Sequence, residues 1–168
     1  MTAKMFRTLL PMALLFALVS CSSDASDDVT VMLNDKTLVE HYEYDETETE
    51  LIDLINDHRQ SLNLRALQPI NHISYKSQEH NEYMIEKNVV NHDFFEERSQ
   101  NLIQVLGALK VSENVAYNYN TPQAAVNAWL NSPGHKANIE GDFTHFGISV
   151  SMDPESGRKY YTNMFIKK

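Results

Sequence analysis

Ser112–Val150, SENVAYNYNTPQAAVNAWLNSPGHKANIEGDFTHFGISV, carries the strongest structural signals in the chain. It reads as a strand-like Glu-Asn segment, a capped helix, a Ser-Pro-Gly-His turn and a His-led strand. Thr121 is a good N-cap, and Pro122 suits the first helical position, where a missing N–H costs nothing. Ala125, Ala128 and Trp129 then share one face, and Trp129 reads as core. Ser132-Pro133 repeats the cap-plus-proline device and opens a shorter helix through Asn138. From His145 the period changes to two: Phe146, Ile148, Val150 and Met152 alternate with His145, Gly147, Ser149 and Ser151. The turn formers Asp153-Pro154-Glu155-Ser156-Gly157 follow, and Tyr160–Ile166 returns as the second strand of a hairpin.

Upstream, Leu51, Leu54, Ile55, His58 and Leu62 form one helical stripe from about Thr47. Glu48, Glu50 and Asp53 sit in its first turns, where the helix dipole favours acids. Pro69 forbids its continuation. A second helix is expected over about Ile73–Val89, with Ile73, Ser77, His80 and Met84 as one face. Asn91-His92-Asp93 then reads as a turn, and residues 95–106 as a short helix ending at Gly107. His58, His72 and His80 are expected on helix surfaces or edges. Helices followed by an antiparallel hairpin predict an α+β sandwich.

The ends say where the domain works. Lys4 and Arg7 precede an apolar stretch, Leu9–Val19, too short to span a membrane; it reads as a signal peptide over residues 1–20. Leu18-Val19-Ser20-Cys21 resembles a bacterial lipobox, so Cys21 is the expected lipidation site. It is the only Cys, which excludes an intrachain disulfide and argues against a Cys nucleophile. Residues 21–46 are expected to form an acidic tether and N-terminal extension, with residues 29–46 either adding a strand or draping over the domain. Residues 47–168 hold the domain. Removing residues 1–20 leaves 12 Lys+Arg against 23 Asp+Glu, a formal charge of −11. That charge repels phosphate backbones and anionic headgroups. No nucleic-acid partner is expected, and membrane contact should come through the lipid anchor alone. With no clustered glycines, no nucleotide cofactor is expected, and there is no G-x-S-x-G elbow.

The ordered segments His92-Asp93, Ser112–Tyr117, Thr121–Ile139, Phe143–Val150 and Tyr160–Phe165 resemble the CAP superfamily of cysteine-rich secretory, antigen 5 and pathogenesis-related proteins. The likeness is to its Cys-poor bacterial SCP-domain branch and covers roughly residues 48–166. It implies a three-layer α-β-α sandwich with an open cleft. In many members two His and two Glu line that cleft and hold a divalent cation, often zinc. Carried over, His92 resembles the first His, Glu113 the Glu of the Gly-Glu-Asn motif, and His145 the His at the start of the penultimate strand. His135 is common in the bacterial branch and is expected near the same cleft. The second Glu does not carry over, since Ser132 stands in its place. Ser112 replaces the usual Gly and would be strained if that position needed φ > 0.

Two neutral imidazoles and a carboxylate, here His92, His145 and Glu113, make a three-ligand metal site with one open position. Without metal the same groups form a hydrogen-bonded network. The small face of Gly147 and Ser149 beside His145 either admits a ligand or lets a helix approach; the cleft is the favoured outcome. The expected function is a lipid-anchored, extracytoplasmic protein on a bacterial outer membrane or cell surface. It would bind a small-molecule, lipid or protein ligand through His92, Glu113, His135 and His145. The rivals are a metal-assisted hydrolase of peptide or cell-wall material, with Glu113 as base, and a structural adhesin. The missing second Glu and the absence of a positioned nucleophile favour binding over catalysis.

Overall fold

The computed structural model describes residues 36–168. The signal peptide, Cys21 and the acidic tether lie outside the described residues. Five helices and four strands follow in the order α1 (Glu46–Ser61), β1 (Gln68–Pro69), α2 (Asn71–Lys87), α3 (Phe95–Leu106), β2 (Lys110–Tyr117), α4 (Pro122–Asn131), α5 (Pro133–Ile139), β3 (His145–Met152) and β4 (Lys159–Lys167). The strands form one sheet in the order β1-β3-β4-β2, with β1 parallel to β3 and the other pairs antiparallel. Helices α2 and α3 cover one face and α1, α4 and α5 the other. The fold is thus the α+β three-layer sandwich, and β3–β4 is the expected hairpin. The two-residue strand β1 has no periodic signature, since its pairing with His145 and Phe146 depends on what lies beside it.

Local chemistry accounts for the elements. Asp45 closes a capping box on α1, its carboxylate accepting from Glu48 N at 2.7 Å while Glu48 accepts from Asp45 N at 3.1 Å. Thr121 caps α4 by accepting from Ala124 N. Ser132 stands at the N-cap of α5, but its side chain makes no capping hydrogen bond. The alternation of β3 works as expected: Phe146 and Ile148 join Leu51, Ile55, Trp129, Tyr161 and Phe165 in the larger core. Trp129 is core and donates its indole N–H to Val115 O at 3.0 Å.

The other face of β3 departs from expectation. A Cβ on Gly147 would lie 2.3 Å from Ser74 N, so the α2 backbone lies directly on the strand there. Ser149 is buried, and Asn81 of α2 donates to its carbonyl. The small residue at Gly147 admits a helix, while Ser149 lines a cavity of about 380 Å³ with Tyr42, Glu48, Tyr75 and Gln78, which His145 does not reach. His72 and His80 are also buried rather than on a surface, because the α2 stripe that carries them faces the sheet and α3.

Beyond β1 the outer edge of β3 is closed by side chains. Ser74 Oγ accepts from Ile148 N at 3.0 Å and Glu48 Oε1 from Val150 N at 2.9 Å. Residues 36–45 drape across this region without forming a strand. Tyr42 donates to Glu48 Oε1 at 2.7 Å, and the Tyr44 hydroxyl bonds Ser74 Oγ at 2.9 Å. An edge strand offers unpaired N–H groups to any passing chain, and these contacts remove two of them.

Candidate functional site

The opposite edge of the sheet holds the candidate site. Strand alternation sends the neighbours Glu113 and Asn114 of β2 to opposite faces. Asn114 turns toward α5, donating to His135 O at 3.0 Å and accepting from Asn138 Nδ2 at 2.8 Å. Those bonds pin α5 against β2. Ser112 has no positive φ among the described residues, so its replacement of Gly introduces no strain.

Glu113 turns toward α2 and α3 and is buried. Arg98, from the first turn of α3, meets it as a fork: Nε donates to Oε2 at 3.0 Å, and Nη2 donates to Oε1 at 2.9 Å and to Oε2 at 2.7 Å. Arg98 Nη1 donates to Asp93 O at 2.7 Å. That carbonyl precedes Phe94, which adopts φ +57° at the N-terminus of α3. A bulky residue there costs about 1–3 kcal/mol, and the turn it creates sets the loop from Asn91 to Asp93 against the guanidinium.

His92 donates from Nδ1 to Glu113 Oε1 at 2.8 Å, with its side chain 52% exposed. Buried His80 has Nε2 3.8 Å from the same oxygen but donates it to Asn91 O at 3.0 Å. Burial alone would raise the Glu113 carboxyl, yet the His92 hydrogen bond and the Arg98 charge outweigh it and hold the group below its ordinary range. His80 is pushed down to about 4, first by burial and then by the Arg98 charge. His135 is lowered by burial and by its neighbour His92. His135 lies on α5, on the other side of the outermost strand β2, and is linked to His92 only through that charge effect. His92, Phe95, Ser112 and Glu113 line a cavity of about 250 Å³.

His145 does not join them. It begins β3, its Nδ1 bonded to Thr144 Oγ1 at 2.8 Å, and is paired across the sheet with Ile166. Strand β4 separates it from β2, so the two backbones stand roughly 10 Å apart, with Met164 and Ile166 on the intervening strand. Its pKa is lowered by burial and by Lys168 rather than by any group of the site. The expected ligand set of His92, Glu113 and His145 is therefore not assembled. Among the described residues no three His, Cys, Asp or Glu side chains converge so as to hold a metal ion. The donors present do not fit the family's cation, because Glu113 is already bonded by a guanidinium.

Arg98 and His80 are the site residues that the sequence did not single out. Both had a signal. His80 falls on the stripe with Ile73, Ser77 and Met84, and Arg98 falls in register with the buried Asn101, Leu102 and Leu106 of α3. A titratable residue on a core-facing stripe needs a partner.

The model of the CAP cysteine-rich secretory protein family matches residues 52–165. The chain belongs to that family. The CAP domain is 32% identical over 130 residues to the uncharacterised protein YkwD of Bacillus subtilis, covering 72% of this chain and 47% of that protein. It is 50% identical over 60 residues to the uncharacterised membrane protein YlbC of the same organism, covering 35% of this chain and 16% of that one. It thus spans less than half the length of either curated relative. Among solved structures, an outer surface protein of Borrelia burgdorferi superposes with a TM-score of 0.68 at 23% identity, covering 77% of this chain and 99% of that one. An extracellular SCP-domain protein of Bacillus anthracis gives 0.63 at 27% identity, covering 73% of this chain and 40% of that one. Among the described residues no helix is long and apolar enough to cross a membrane.

Proposed function

We propose that this CAP-domain protein is a lipid-anchored extracytoplasmic binding module whose recognition site is the cleft at the β2 edge. The lipobox at Cys21 and the outer-surface and extracellular descriptions of two structural relatives support the location. The observation that carries the binding role is the His92–Glu113 contact at 2.8 Å. An ionised carboxylate can only accept, so Nδ1 carries the proton. In the neutral ring Nε2 is then left as a hydrogen-bond acceptor on the exposed side. With Ser112 and the Phe95 ring beside it, that acceptor suits a ligand rich in hydroxyl or amide donors.

Soluble muropeptides from bacterial cell wall carry both donor types and serve as the probe. Added to the protein lacking residues 1–20, they should shift the His92 and His135 imidazole signals in ¹H–¹⁵N NMR while remaining intact by mass spectrometry. Absence of any shift would remove the proposed ligand class. Cleavage by wild type but not by Glu113→Gln would replace the binding module with a hydrolase. For the anchor, Cys21→Ala should move the protein from the membrane to the soluble fraction of the producing cell.

A further inference from the structure

We infer that Arg98 is a built-in counter-cation for Glu113 and that the cleft therefore takes no divalent metal ion. The inference concerns the carboxylate's own partner and stands whether or not the cleft binds muropeptides.

Three N–H···O contacts of 2.7–3.0 Å join the guanidinium to both oxygens of Glu113. A carboxylate bonded in that way has its charge balanced and both oxygens engaged. His92 Nδ1 bonds Oε1 as a fourth contact. An ion bound to either oxygen would lie within a few ångströms of a fully buried guanidinium, where repulsion is poorly screened. Arg98 cannot simply swing aside, because it is 1% exposed and its Nη1 is also held by Asp93 O. Arginine stays protonated under all ordinary conditions, so no pH change frees the site for a metal.

The imidazoles offer no alternative set. His92 presents a donor, not a lone pair, toward Glu113. His80 uses Nε2, the nitrogen that faces Glu113, as a donor to Asn91 O; its Nδ1 keeps a lone pair, but that atom is buried on the other side of the ring and cannot join a set around the carboxylate. His145 stands two strands away. Ser132, where the family places its second Glu, supplies no carboxylate. What remains is His92 Nε2 and the His135 ring, one ligand short of the usual minimum for zinc.

The test is a zinc titration of the protein lacking residues 1–20, followed by imidazole ¹H–¹⁵N NMR. Surface groups such as His58 beside Glu140 respond under their own signals. The His92 and His135 signals should stay in place up to equimolar zinc. Their joint movement at stoichiometric zinc, abolished in His92→Ala, would overturn the inference. Arg98→Met supplies the converse. If it folds, its zinc affinity by calorimetry should rise at least tenfold over wild type, and His92→Ala should cancel the gain. A folded Arg98→Met with wild-type affinity would also overturn it. If the variant does not fold, the wild-type titration decides alone.

Discussion

Two buried glutamates stand at opposite edges of one sheet and solve the same problem differently. Glu48, at the β3 edge, is held by neutral donors alone: the Tyr42 hydroxyl, Val150 N and Asp45 N. Glu113, at the β2 edge, is held by a guanidinium and an imidazole. Burial raises the Glu48 carboxyl, and its hydrogen bonds only partly oppose that. At Glu113 the balance reverses. Neutral donors suffice where the task is to close a strand edge beneath a draped segment. A charge that must stay ionised next to a half-exposed histidine needs a dedicated cation. Burial of an acid thus marks no function by itself; the kind of partner does.

The sharpest way to break that contrast is to remove one partner from each edge. Arg98→Ala leaves a buried carboxylate without its counter-cation, held by His92 alone, and should cost about 3–5 kcal/mol. Tyr42→Phe removes one neutral donor and should cost about 1 kcal/mol. Denaturant unfolding of both variants at pH 7 measures the difference; equal losses would show that the two glutamates are held alike.

A second comparison uses pH. The Glu113 carboxyl is lowered from 4.5 in the folded state. It therefore adds stability that is present above 4.5 and lost as pH falls through its folded value. Glu48 is raised above 4.5, so its contribution is present below 4.5 and lost as pH rises through its folded value. Glu113→Gln should flatten the rise of stability with pH on the acid side of 4.5, whereas Glu48→Gln should steepen the rise above it. His80 adds a further slope, since its depressed value of about 4 means stability is lost as pH falls from 6.5 toward 4. Unfolding free energies between pH 3.5 and 7 test all three, and changes of slope in the same direction from wild type in the two Gln variants would refute the assignment.

The smallest expected effect belongs to His145. Its side chain bonds only the adjacent Thr144, so His145→Ala should change stability by no more than about 0.5 kcal/mol. The imidazole signals of His92 and His135 should be unmoved. A shift of either would reconnect His145 to the cleft.

How much was legible follows from the range of each interaction. Asp45 with Glu48, and Thr121 with Pro122, act within one helical turn, so their capping roles lie in the local string. The alternation of β3 separated two faces, and the structure puts Phe146 and Ile148 of one face in the core while Met152 at its end is exposed. Alternation also placed Gly147 and Ser149 together, but whether a helix or a cavity lay against them was a question about α2, some 70 residues earlier. His92 and Glu113 were named from the likeness to the CAP family, and they meet across 21 residues. Their cation was missed because Arg98 reads as an ordinary polar position on a short helix.

What this sequence determined unaided is the five helices and three longer strands, the acidic net charge, and the periodicity that separates the two faces of each. Those follow from backbone propensity, composition and side-chain period, which are properties of short segments or of the chain as a whole. Only the closed sandwich decided that Glu113 meets Arg98 rather than His145. Electrostatic partnership depends on separations of a few ångströms, and those separations exist only after α3 has packed on β2 while β4 holds β3 apart from it.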